Sequence, residues 1–251
     1  MRQIKELRIG EPKTRKTDAV CSTYPRPLLL LNFDPFGPDV LKAGDQVATS
    51  DLPALVNGTE ALQDKIYVCD FASVAPRILA SQYRGKENIG LKFIQSVNTL
   101  FAKNPFKTVV LDSWSGMDPV INIFIQNLSN KEEMTLPLWG LAGTKKEEIL
   151  QAILSLACNV VVICHTEGKK DEVTGEIRIV PYGSGKFPER MGALFSQVFA
   201  ARAGTDSKGQ PEFKVLTCSQ GLYKGLGARW PQGLPPVCGP FFNDIYSKET
   251  P

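Results

Sequence analysis

Residues Gly10-Glu11-Pro12-Lys13-Thr14-Arg15-Lys16-Thr17 fit the pattern G-x-x-x-x-G-K-[ST] at every fixed position except Arg15, where glycine is expected. In that pattern backbone N–H groups wrap a row of phosphates, the lysine reaches the β- and γ-phosphates, and the final hydroxyl ligates Mg²⁺. Lys16 and Thr17 have the right chemistry for the last two roles, and Gly10, Pro12, Lys13, Thr14 and Arg15 complete the phosphate-contacting set. A Cβ before the lysine resists the torsions and the close phosphate approach that glycine permits. Arg15 therefore either impairs the cradle or adds a fixed positive charge against the phosphates. The sequence leaves the sign open.

Three residues at the ends of apolar runs extend this constellation. Val109-Val110-Leu111-Asp112 has the form of a Walker B strand, whose terminal acid holds Mg²⁺ directly or through water. Asp34 follows the run Pro27 to Phe33, and ligands of open α/β sheets sit outside the carboxyl ends of strands. A carboxylate there can orient or deprotonate an attacking water. His165 follows Val160 to Cys164, where it can touch a γ-phosphate and report its loss to the loop behind. Taken alone, each has a plainer role as a turn-forming acid or a structural histidine. Their conjunction with Lys16-Thr17 favours the nucleotide reading.

The elements needed to hold these residues follow from the pattern of apolar runs and turn residues, which alternates β and α. Strands are expected at Lys5 to Ile9, Pro27 to Phe33, Ile66 to Cys69, Thr108 to Asp112, Asn159 to Cys164, Phe195 to Ala201 and Glu212 to Cys218. Helices are expected at Thr17 to Ser22, Asn88 to Lys103, Pro119 to Leu128 and Thr144 to Leu156, the last with Thr144 as its cap and Glu147 and Glu148 in its first turn. Gly168 to Val180 reads as a charged hairpin or loop around Thr174-Gly175, and the tail from Gly221 to Pro251 as a Pro/Gly-rich surface wrap. The economical organisation is one α/β domain over residues 1–251, with a core at about 1–203 and a C-terminal strand and tail at about 204–251.

Composition sets outer limits. A chain of 251 residues with 43% hydrophobic and 22% charged side chains is that of an ordinary globular protein. It is long enough to bury roughly 70–75% of its unfolded surface. No apolar run reaches the roughly 18–20 residues of a membrane span, and the N-terminus lacks the apolar core of a secretory signal. A cytoplasmic location is the expectation. Six cysteines without a C-x-x-C, and a single histidine, argue against structural zinc. They read as reduced core filler. A net charge of +3 leaves the partner open.

The order of these parts resembles the phage-encoded RecA-like P-loop ATPases of DNA recombination and single-strand annealing. The resemblance runs from Gly10–Thr17 through Asp34, Leu111-Asp112-Ser113 and Val161 to His165. It continues over the charged hairpin, Pro181-Tyr182-Gly183-Ser184-Gly185-Lys186 and Arg229-Trp230-Pro231. It implies a RecA-like P-loop NTPase core with a mostly parallel central sheet flanked by helices and a C-terminal β extension. It also implies ATP with Mg²⁺, assembly into a ring or filament, and the host cytoplasm as location. The family usually has glutamate as catalytic base where Asp34 stands and glycine where Arg15 stands. Lys186 falls where such assemblies insert a basic residue into the neighbouring nucleotide site, which makes Asp34, Lys16, His165 and Lys186 the catalytic candidates.

Three functions fit these residues. The first is an ATPase of DNA recombination or replication that places Lys169, Lys170, Arg178, Lys186 and Tyr182 on single-stranded DNA. The second is a P-loop kinase acting on a nucleotide or a modified base in DNA, with Asp34 accepting a hydroxyl proton. The third is a nucleotide-holding module with little turnover because of Arg15.

Overall fold

Leu28–Leu31, Val109–Leu111 and Val160–Ile163 are apolar at every position, and a strand covered by helices on both faces is the structure that buries such runs. All three are sealed from solvent. The computed structural model describes residues 3–72, 89–131, 133–172 and 174–246. Its strands are β1 (Lys5–Gly10), β2 (Leu28–Asn32), β3 (Gln46–Ala48), β4 (Ile66–Asp70), β5 (Thr108–Asp112), β6 (Asn159–Cys164), β7 (Thr166–Lys170), β8 (Ile177–Pro181), β9 (Gln197–Thr205), β10 (Pro211–Leu216), β11 (Gly227–Ala228) and β12 (Val237–Cys238). Its helices are α1 (Lys16–Thr23), α2 (Leu52–Asn57), α3 (Ile89–Ala102), α4 (Trp114–Leu128), α5 (Leu136–Leu154), α6 (Phe187–Met191) and α7 (Phe242–Tyr246). No described helix is long and apolar enough to cross a membrane.

Ten strands form one sheet in the order β12-β10-β9-β1-β6-β5-β2-β4-β3, with β11 also on β9. From β9 to β3 every pairing is parallel; β10, β11 and β12 are antiparallel additions. The fold is therefore α/β with a mostly parallel central sheet flanked by helices. Alternate residues of each strand feed opposite layers. Leu29, Leu31, Val109 and Leu111 pack with α2 to α5 on one face, and Leu28, Leu30 and Val110 pack with α1 and α7 on the other. The register aligns Ile9 with Cys164, Asp112 with Ile163, and Asn32 with Asp112. The carboxyl ends of β1, β6, β5 and β2 thus finish level, which brings Gly10, His165, Asp112 and Asp34 to one edge.

Several local expectations are corrected. Helix α5 starts at Leu136, not at Thr144, because Thr135 is the N-cap and Pro137 occupies the first turn. Thr144 lies mid-helix, and its hydroxyl donates to the Gly140 carbonyl at 3.2 Å. Helix α4 starts at Trp114, five residues before Pro119, since the Ser113 hydroxyl caps it by accepting from Gly116 N at 3.1 Å. Cys21, Cys69, Cys158 and Cys164 are buried as core filler, whereas Cys218 and Cys238 are only half-buried. The tail does more than wrap the surface: it supplies β11, β12 and α7. Asn88 and the last residues of the tail, 247–251, lie outside the described residues.

One polar cluster on the α1 face of β1 ties distant segments together. Glu6 and Arg8 are fully buried, and Arg8 Nε donates to Glu6 Oε1 at 2.5 Å. Tyr24, which ends α1, donates to Glu6 Oε2, as does Tyr246 of α7 at 2.6 Å. Arg8 also donates to the Pro240 carbonyl at 2.7 Å and to the Tyr24 hydroxyl at 3.2 Å. The strand leading into residues 11–15, the helix leaving them and the C-terminal tail therefore share one charge pair. Removing one member strands the other without water, a loss of about 3–5 kcal/mol. We expect Arg8→Met to lower unfolding free energy in urea by about that amount, and the double variant Glu6→Leu/Arg8→Met to recover most of it.

Candidate nucleotide site

The segment 10–17 leaves β1 and enters α1 as a tight loop. Gly10 has no room for a side chain, because a Cβ there would lie 2.6 Å from the Ala201 carbonyl oxygen of β9. Lys13 and Arg15 both take left-handed torsions, with φ of 64° and 57°. Arg15 thus adopts the backbone conformation that glycine takes most easily, and the Cβ obstacle anticipated from the sequence does not prevent it. Such a conformation costs a non-glycine residue roughly 1–2 kcal/mol. Two contacts offset part of that: Arg15 Nε donates to Asp18 Oδ2 at 2.9 Å, and the guanidinium lies 5.2 Å from the Phe213 ring centroid.

Lys16 is buried, and its ammonium donates to the carbonyls of Gly10 and Glu11 at 3.0 and 2.7 Å and to Thr14 Oγ1 at 3.2 Å. Thr14 Oγ1 in turn donates to the Glu11 carbonyl at 2.9 Å. Across the loop, Thr17 Oγ1 donates to Asp112 Oδ2 at 2.5 Å, joining the first turn of α1 to the tip of β5. A hydroxyl and a carboxylate in contact at a lysine-bearing loop match the donor set that Mg²⁺ takes in P-loop sites. Burial holds the Lys16 ammonium down to about 8, partly countered by Asp112. The same burial pushes the Asp112 carboxyl up to about 6, against the hydrogen bond from Thr17.

Asp34 and His165 face each other next to this pair, with His165 Nε2 3.8 Å from Asp34 Oδ2. The Asp34 carboxylate also accepts from Phe36 N at 3.0 Å. Burial, and then the nearby Lys16 charge, lower the affinity of His165 for a proton. Among the described residues no well-aligned hydrogen-bond partner meets the buried His165 Nδ1. Beside the two residues opens a cavity of about 340 Å³ lined by Phe33, Asp34, Pro35, Ser113, Ser115, Gly116, His165 and Tyr182. Ser115, not singled out by the sequence, fixes the strand tip by accepting from His165 N at 2.8 Å.

The expected hairpin is present as β7 and β8, and it is rooted at His165. Thr166 follows directly, and Tyr182 N donates back to the His165 carbonyl at 2.8 Å. Two of its cations are ion-paired, Lys169 with Glu189 and Arg178 with Glu176 at 3.2 Å. Lys170, Tyr182 and Lys186 are exposed. Among the described residues no hydrogen bond or ion pair joins Lys186 to loop 10–17. Its own loop is pinned instead by Ser184, which donates to Asp118 Oδ2 at 2.7 Å and accepts from the buried Lys146 at 2.6 Å. Lys146 also pairs with Asp118 Oδ1 at 2.7 Å.

A family model described as an AAA domain matches residues 2–220, a span holding the loop, Asp34, Asp112, His165 and the hairpin. The chain belongs to the AAA domain family. No curated protein matches it. Membership makes this AAA domain a P-loop NTPase by family, and residues 10–17 are its candidate phosphate loop. Lys146 carried a usable signal, since its spacing from Ala142, Leu150 and Ile153 puts a lone lysine on the buried stripe of α5. Ser115 and Phe213 carried none.

The two shifts set a pH window for this AAA domain. In the fold Asp112 holds a proton that the unfolded chain releases between its ordinary value and about 6, so its contribution to stability grows as pH falls through 6. Lys16 sheds a proton early, so the penalty of its buried charge is present below about 8 and fades as pH rises above it. A metal-bound polyphosphate needs the carboxylate ionised and the ammonium charged. We expect Mg²⁺–ADP affinity to peak between pH 6 and 8. Calorimetry in buffers of different ionisation enthalpy should show net proton uptake on binding above pH 8.

Proposed function

We propose that this AAA domain is an ATPase that couples its nucleotide state to single-stranded DNA, in the recombination or replication setting that the resemblance implies. The observation that carries the reading is the level edge where Lys16, Thr17–Asp112, Asp34 and His165 meet at the root of the β7–β8 hairpin. In this reading Lys16 and the loop amides hold the β- and γ-phosphates, and Thr17 and Asp112 hold Mg²⁺, which supplies charge neutralisation at the phosphates. Asp34 orients and deprotonates the attacking water, with His165 neutral beside it. His165 transmits the state of the γ-phosphate to the hairpin through its backbone. Tyr182 stacks a base, and Lys170 and Lys186 meet the backbone phosphates.

Lys186 has a second use in an assembly, where its exposed position lets it reach a neighbouring copy's nucleotide. A kinase reading is favoured by one feature, the cavity beside Asp34, which has room for an acceptor hydroxyl. Labelled ATP separates the two: label released as inorganic phosphate supports the ATPase, and label recovered on a nucleoside or DNA supports the kinase. Under the ATPase reading Asp34→Asn lowers phosphate release by about 10²–10⁴-fold while ADP binding persists. Tyr182→Ala should weaken ATP-dependent binding to single-stranded DNA by about 5- to 100-fold, measured by fluorescence anisotropy across a salt series. DNA affinity that is the same with ATP, with ADP and without nucleotide would remove the coupling.

A further inference from the structure

Thr17–Asp112, Asp34 and His165 all lie on the β6–β5–β2 side of β1. On the reading of 10–17 as a phosphate cradle, a terminal phosphate would point that way and the nucleoside would leave on the other side, over β9 and β10. Those two strands overhang the loop. Gly10 pairs with Ala201, whereas Phe213 pairs with Ala203, two positions further along β9. Phe213 projects from the α1 face, because Val215, its same-face neighbour on β10, packs in one layer with Val20 and Cys21. Its half-buried ring is capped by the Arg15 guanidinium, which Asp18 holds in place.

We propose that Arg15 and Phe213 form the platform for the nucleobase, a site that rests on reading 10–17 as a phosphate cradle. A guanidinium lying over a phenyl ring joins a positive charge to two flat groups, and every nucleobase has a π-face that stacks on such groups. The ion pair with Asp18 restrains the guanidinium at this position beside the ring. The side chain at the position where glycine is expected therefore serves the nucleoside end of the ligand, neither blocking the cradle nor acting on the transferred phosphate. Phe213 and Arg15 contact the base, and Lys16 contacts the phosphates.

Calorimetry with ATP and with inorganic tripolyphosphate, each with Mg²⁺, separates the platform from the cradle. Phe213→Ala is expected to weaken ATP by about 5- to 100-fold while leaving tripolyphosphate within about twofold, and Phe213→Trp to restore ATP. Retained tripolyphosphate binding also shows that the variant is folded. Equal affinity of wild type and Phe213→Ala for ATP, or a parallel loss of both ligands in Phe213→Ala with Phe213→Trp failing to recover ATP, overturns the platform and leaves the cradle standing. Failure of wild type to bind either ligand overturns the cradle, and the platform with it.

Discussion

A carboxylate and a guanidinium two residues apart on β1 are both sealed from water, and much of the molecule is arranged to make that tolerable. Neither charge can be buried without its partner and further donors or acceptors. Glu6 obtains them from Tyr24 and Tyr246, and Arg8 from Tyr24 and Pro240. Satisfying the pair requires α1 to end at one place and the tail to return to one place. The candidate phosphate loop lies between β1 and α1, so its two anchors are fixed by a cluster that is itself sealed from solvent.

A second buried pair serves the opposite face of the sheet. Lys146 and Asp118 join α5 to α4, and Ser184 and Asn122 extend the network to the segment carrying Tyr182 and Lys186. Burial depresses the affinity of Lys146 for its proton, and Asp118 restores part of it. Gly183 belongs to the same arrangement, since a Cβ there would come within 2.8 Å of Pro188. The exposed cation and aromatic ring of this segment therefore stand on a base with little freedom to shift.

The middle of the sheet was legible because β2, β5 and β6 are nearly unbroken apolar runs, and Asp34, Asp112 and His165 stand out because each follows one, whereas Lys16 and Thr17 stand out only through the spacing of the loop pattern that begins at Gly10. What the residues do locally was harder to read. Whether Arg15 could turn left-handed depends on contacts with Asp18 and Phe213, one of them nearly two hundred positions away. The start of helix α5 is misleading in the sequence because Thr144 followed by Glu147 and Glu148 has the form of a cap and an acidic first turn, whereas the helix is capped at Thr135 with Pro137 in its first turn. The Glu6–Arg8 cluster was hidden for the same reason as Phe213: besides Tyr24 its partners, Tyr246 and Pro240, come from the far end of the chain, and no local pattern records them.

The Lys16 ammonium is held by neutral oxygens of its own loop, those of Gly10, Glu11 and Thr14. Under the proposed function, binding would be an exchange in which anionic phosphate oxygens displace these neutral ones from the same ammonium. A polyanion would gain from that exchange because its charge is complementary, while a neutral competitor would offer Lys16 nothing better than what it holds. Selectivity for phosphate over other oxygen-rich molecules would thus begin in contacts that the loop makes with itself.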